Sequence, residues 1–144
     1  DLILNGVNIQ EKITMPEISS IVSKYASIKE VRERLVNLQR NMSKKFDVIM
    51  DGRDIGTVVL KDSNNKFFLT ASPEARAKRR YDELTARNIE VNYNTILEDI
   101  QKRDYIDSNR AIDPLRKADD AIEIDSTNLS IEEVTEKICQ LIKK

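Results

Sequence analysis

The sequence predicts an α/β fold, a parallel sheet covered by helices, and three observations predict it. Short apolar runs at 46–50 (FDVIM), 66–70 (KFFLT) and 121–124 (AIEI) read as buried strands. Stretches with apolar residues at helical spacing separate them, and strands joined through helices connect most simply as parallel neighbours. No repeat, low-complexity tract or Pro/Gly/Ser linker interrupts the 144 residues, and at 40% hydrophobic the chain can bury one core.

In chain order, DLILNGV (1–7) reads as strand and turn, and because it opens on Asp1 rather than methionine the chain is expected to be the remainder of something longer. Pro16 is a first-turn residue for a helix with Ile18, Ile21, Val22 and Tyr25 on its buried side. Ser27 and Glu30 form a capping box ahead of Val31, Leu35, Leu38 and Met42, which are spaced as one helical stripe. The strand at 46–50 follows. After the strand at 66–70, Ser72 and Pro73 start another helix, and a further helix covers the segment 94–110. The third strand is 121–124. Ser130 and Glu133 make a second capping box, and Val134, Ile138 and Leu141 give the last helix its apolar face.

Composition removes whole classes of chemistry. Lysine and arginine total 24 against 25 acids, so no bulk positive field exists to attract nucleic acid or a membrane, and an anion must be gripped locally. The absence of histidine excludes histidine-based triads and histidine-ligated metals within this chain. Cys139 is the only cysteine, which rules out an intrachain disulfide and suits a reducing compartment. With no signal peptide or membrane-length apolar run, a soluble cytoplasmic protein is expected.

Carboxylate and arginine chemistry remains, and two places offer it. In FDVIMDGRDIGTVV (46–59) the charges Asp51, Arg53 and Asp54 stand at the carboxyl end of an expected strand, where open α/β sheets collect ligands. Alone, such a DG turn is as readily a solvated surface turn. In 94–110, however, Ile96, Ile100, Arg103, Asp107 and Arg110 fall within about an 80° arc of one helix face. An inward stripe that changes from apolar to charged should aim its arginines over the sheet, although surface ion pairs would give the same spacing. Arg76, Arg79 and Arg80 add a basic cluster that is, by itself, more often a solvated face. Arginines converging on a crevice suit phosphates, which guanidinium grips bidentately, and phosphoryl transfer needs no histidine base.

VIMDGRDIGTVV, KFFLTASPEARAKRRYDEL, RDYIDSNRAIDPL and AIEIDSTNLSIEEV, in that order, resemble the bacterial cytidylate kinases over essentially the whole chain. The resemblance implies a P-loop kinase-type fold whose first strand and P-loop fall outside these residues. It divides the chain into a monophosphate-binding region (1–45), core strands with the DGRD site (46–72), a lid and following helix (73–110) and a C-terminal strand and helix (111–144). It implies transfer of the ATP γ-phosphoryl to CMP or dCMP, with Mg²⁺. Arg53 and Arg110 would hold the CMP phosphate, Arg103 and Asp107 would sit at ribose and phosphate, and Ser23, Arg32 and Asp54 would read the base. Asp51 would stand near Mg²⁺ through water, and Arg76, Arg79 and Arg80 would belong to a lid over ATP. Gly52 would let the backbone pass close to the phosphate. Expected partners are CMP or dCMP and ATP, with no nucleic acid and no membrane.

Two departures stand out. Thr14 occupies a position where the family often has arginine, and G-x-x-x-x-G-K-[ST] does not occur, the only glycines being Gly6, Gly52 and Gly56. The chain by itself is therefore expected to be inactive. An adenylate- or guanylate-type kinase, or a nucleotide-binding module without catalysis, are the alternative readings.

Overall fold

A computed structural model describes residues 2–142, the side chains of Pro16, Ser19, Ser20 and Ser23 excepted. The chain begins in a small antiparallel hairpin, β1 (Ile3–Leu4) and β2 (Val7–Asn8). Its two turn residues, Asn5 and Gly6, have φ of 50° and 79°. Positive φ at both centres is what an Asn-Gly hairpin turn supplies at little cost.

A 3₁₀ turn at Lys12–Thr14 leads into α1 (Pro16–Ala26) and α2 (Lys29–Ser43). Both helices were legible in the sequence, but their expected burial is overturned. Ile18, Ile21, Val22 and Tyr25 of α1 are exposed, as are Val31, Leu35, Leu38 and Met42 of α2. Among the described residues those stripes are covered only in part, every one of these side chains being more than a third exposed. The capping box expected at Ser27 and Glu30 is also absent: Ile28 is the N-cap, without a side-chain bond, and the Ser27 hydroxyl donates to the Lys24 carbonyl at 2.7 Å. A serine that close to the end of α1 finds a free carbonyl behind it before it can cap the helix ahead.

The segment 46–50 is not a strand. It bends at Phe46 and has no regular structure or ladder partner among the described residues, with Ile49 fully exposed. A strand is defined by its neighbour, and an apolar run alone supplies none. After the charged turn, Ile55–Val59 forms a π-helical turn in which the Asp54 carbonyl accepts from both Val58 N and Val59 N, at 2.8 and 3.2 Å. Arg40 of α2 donates to the Val58 and Val59 carbonyls at 2.6 and 3.2 Å and so ties that turn to the helix.

The other two strands form, as β3 (Phe67–Thr70) and β4 (Ile122–Asp125), paired in parallel with Phe67 opposite Ile122 and Thr70 opposite Asp125. Between them run α3 (Pro73–Ala86) and α4 (Tyr93–Asn109), which pack on each other. Ser72 caps α3 by accepting from Ala75 N at 3.1 Å, and Asn92 caps α4 by accepting from Asn94 N and Thr95 N. The last helix, α5 (Ile131–Leu141), carries the complete capping box of Ser130 and Glu133. The α/β class is therefore correct in its parallel pair and crossover helices, while a wider sheet is not formed among the described residues. The small buried apolar core is Val59, Ala77, Leu84 and Ile124. No helix among the described residues is long and apolar enough to cross a membrane.

Candidate nucleotide site

The charged turn and the C-terminal half of α4 meet. Asp107, only 2% exposed, accepts a hydrogen bond from Arg53 Nε at 2.8 Å, and Arg103 Nε approaches the same oxygen at 3.6 Å. The helical arc read from the sequence thus points inward as expected, except that Arg110 is the C-cap, with ψ of 144°, one step beyond the helix. Its side chain is buried nonetheless. Arg110 Nε donates to the Asp113 carbonyl at 2.7 Å, and its Nη2 lies 3.9 Å from Asp54 Oδ1.

Arg32 of α2 completes the group. Its Nη2 pairs with Asp54, its Nε donates to Asp113 Oδ2 at 3.1 Å, and its Nη1 donates to the Ala26 carbonyl at 3.3 Å. Four arginines (32, 53, 103 and 110) therefore face three aspartates (54, 107 and 113), leaving one positive charge in excess. Two buried donors, Arg103 Nε and Arg110 Nη2, make no hydrogen bond among the described residues, the carboxylates they face standing 3.6 and 3.9 Å away. Burial pushes the Arg103 pKa down, with the neighbouring Arg53 charge adding to the effect; burial does the same to Arg110, helped by Arg32. Crowded, partly desolvated cations with spare donors are an arrangement that an incoming anion relieves.

Arg53 and Arg103 also line a cleft of about 530 Å³ between the 3₁₀ turn, α3 and α4. Arg76, Arg80, Lys102 and Asp104 share its wall. Arg76 grips Asp104 bidentately, at 2.9 and 2.5 Å, and this bond raises its pKa. It therefore braces α3 against α4. Arg80 Nη2 donates to the Thr14 carbonyl at 2.6 Å, and Arg87 Nη1 to the Thr14 hydroxyl at 3.2 Å. Cations thus reach the Thr14 position from α3, although the residue itself is neutral. Arg79 parts from its neighbours, turning to the Ser126 carbonyl and hydroxyl at the corner between β4 and α5.

Asp51 is exposed at the edge of the turn. The side chain of Ser23 lies outside those described. A Cβ on Gly52 would meet the Ile55 side chain at 3.0 Å, so the close approach made here is to a side chain of the following π-helical turn. Sequence reading missed Asp113, which holds two of the arginines, and the Arg76–Asp104 brace. The signal at Asp113 was slight, an acid next to Pro114 in a loop.

A family model described as Cytidylate kinase matches residues 1–144. The chain is 69% identical over its full length to "Cytidylate kinase" of Clostridium perfringens (strain SM101 / Type A), of which it covers 66%. It is 61% identical over 143 residues to the protein of the same name in Clostridium acetobutylicum, and 57% identical over all 144 residues to that of Clostridium botulinum (strain Okra / Type B1), covering 66% of each. The chain thus spans about two thirds of the length of the curated relatives it matches. A match over every residue, together with an arginine cluster that retains a positive surplus, establishes that this chain belongs to the cytidylate kinase family.

Proposed function

We propose that the protein to which these residues belong transfers the γ-phosphoryl of ATP to CMP or dCMP, and that the arginine cluster is the acceptor nucleotide's site. The observation that carries this reading is the pair of buried donors on Arg103 and Arg110 that stand 3.6 and 3.9 Å from carboxylates without closing a hydrogen bond among the described residues, beside Arg53. A monophosphate dianion would satisfy them and neutralise the surplus charge. In this reading Arg53 and Arg110 hold the phosphate, Arg103 and Asp107 sit at the ribose and phosphate, and Ser23, Arg32 and Asp54 face the base. Arg76 and Arg80 lie along the cleft toward ATP, with Arg79 behind them. Holding the acceptor phosphate in line and offsetting its charge is most of what phosphoryl transfer asks of a protein.

The sheet would be of the P-loop kinase type, and the triphosphate would be held by the third of the relatives' length that this chain does not span. Mg²⁺ would neutralise charge on the ATP phosphates. Among the described residues no three carboxylate or cysteine side chains gather to hold a metal, and Asp51 is a single exposed carboxylate, so these residues do not form a magnesium site by themselves. The test is a coupled assay of the protein at its relatives' full length with CMP, dCMP, UMP, AMP and GMP. Preferred phosphorylation of CMP or dCMP is expected. Preference for AMP or GMP, or nucleotide binding without turnover, would replace this reading.

A further inference from the structure

We propose that Asp113 is a positioning residue for the nucleotide, its carboxylate setting Arg32 and its own carbonyl setting Arg110. This rests on the reading of the arginine cluster just given. Asp113 accepts with both side chain and backbone: Oδ2 takes Arg32 Nε at 3.1 Å and the carbonyl takes Arg110 Nε at 2.7 Å. The residue has φ of 47°, in the left-handed region that aspartate and asparagine tolerate better than most side chains. Two residues on, Leu115 N donates to the Asp107 carbonyl at 2.7 Å, which pins the loop to the last turn of α4. Arg32 and Arg110 come from separate elements and repel each other; Asp54 lies against both, and among the described residues Asp113 hydrogen-bonds both. The side chain therefore addresses the guanidinium assigned to the base, and the backbone addresses the one assigned to the phosphate.

That division gives the test. In the full-length protein, Asp113→Asn keeps the shape and the left-handed backbone while removing the charge, whereas Asp113→Ala also strains the backbone. Affinities for CMP and for ribose 5-phosphate, which lacks the base, would be measured by calorimetry beside melting temperature and KM for ATP. Asp113→Asn should weaken CMP roughly tenfold, in keeping with loss of a charge-assisted hydrogen bond, and leave ribose 5-phosphate within about twofold. Asp113→Ala should weaken both ligands. Unchanged CMP affinity in Asp113→Asn would overturn the proposal. So would an equal loss for both ligands accompanied by a lower melting temperature, which would make Asp113 a brace of the fold. CMP binding that responds as expected, in a protein that forms no CDP, would retire the kinase reading and leave the positioning role standing.

Discussion

Asp107 and Arg53, 54 positions apart in sequence, are joined by a hydrogen bond of 2.8 Å in which a nearly fully buried carboxylate holds a guanidinium that opens into the cleft. Arg103 approaches the same carboxylate oxygen from the preceding turn of α4. One acid thus orients two arginines through their Nε atoms, a geometry that turns the terminal nitrogens of each toward other acceptors.

The two partners of that bond should fail differently. Asp107→Ala strips the carboxylate from between two cations and is expected to cost about 3 kcal/mol of stability, seen in urea denaturation. Arg53→Ala leaves Asp107 with Arg103 beside it and should destabilise less, but lower kcat/KM for CMP roughly 100-fold. Arg53→Lys should recover little of that loss, because an ammonium lacks the fork that serves carboxylate and phosphate together. Near-normal kinetics in both Arg53 variants would remove it from the phosphate site.

Asp54 is expected to govern base choice. Cytosine presents an amino donor where uracil presents a carbonyl acceptor, and a carboxylate suits the donor. Asp54 is already engaged by Arg32, so Asp54→Asn should both loosen that arginine and narrow the CMP over UMP preference. The measurement is the ratio of kcat/KM for the two nucleotides, and an unchanged ratio would take Asp54 out of base recognition.

The two serines at expected capping boxes provide an internal comparison. Ser130→Ala should cost about 1 kcal/mol, since its hydroxyl accepts from Glu133 N at 3.2 Å while the Glu133 carboxylate accepts from Ser130 N. Ser27→Ala should change stability by no more than about 0.5 kcal/mol, because that hydroxyl caps no helix N-terminus and meets only the exposed Lys24 carbonyl. Chemical denaturation of both variants decides it, with CMP kinetics unaffected by Ser130→Ala.

Residues 1–144 on their own are expected to self-associate and to form no CDP. Exposed apolar stripes on α1 and α2, together with exposed Phe46 and Ile49, leave more apolar surface in water than an isolated chain usually keeps. The parallel pair β3–β4 also has unpaired outer edges among the described residues. Sedimentation velocity and a cooperative-melting test would show it, and a monomer that melts cooperatively and makes CDP from CMP and ATP would refute it. The protein at its relatives' full length should be both cooperative and active.

Several features that close within one turn were determined by the sequence itself, the box expected at Ser27 and Glu30 being the exception. Asn5-Gly6 specified its turn, Ser72 with Pro73 and Ser130 with Glu133 specified helix starts, and the spacing of Ile96, Ile100, Arg103 and Asp107 specified which face of α4 turns inward. The DGRD turn and the α4 arginines were expected to converge on one crevice, but their pairing was not legible, because nothing local says that Arg53 should reach Asp107. Tertiary structure alone decided that Arg79 leaves the cleft while Arg76 braces it, that Asp113 serves two arginines, and that 46–50 pairs with nothing among the described residues. A capping bond closes within one turn and is written in adjacent residues. A ladder, a buried ion pair or a covered apolar stripe needs a partner brought from far along the chain, and its energy exists only once that partner has arrived.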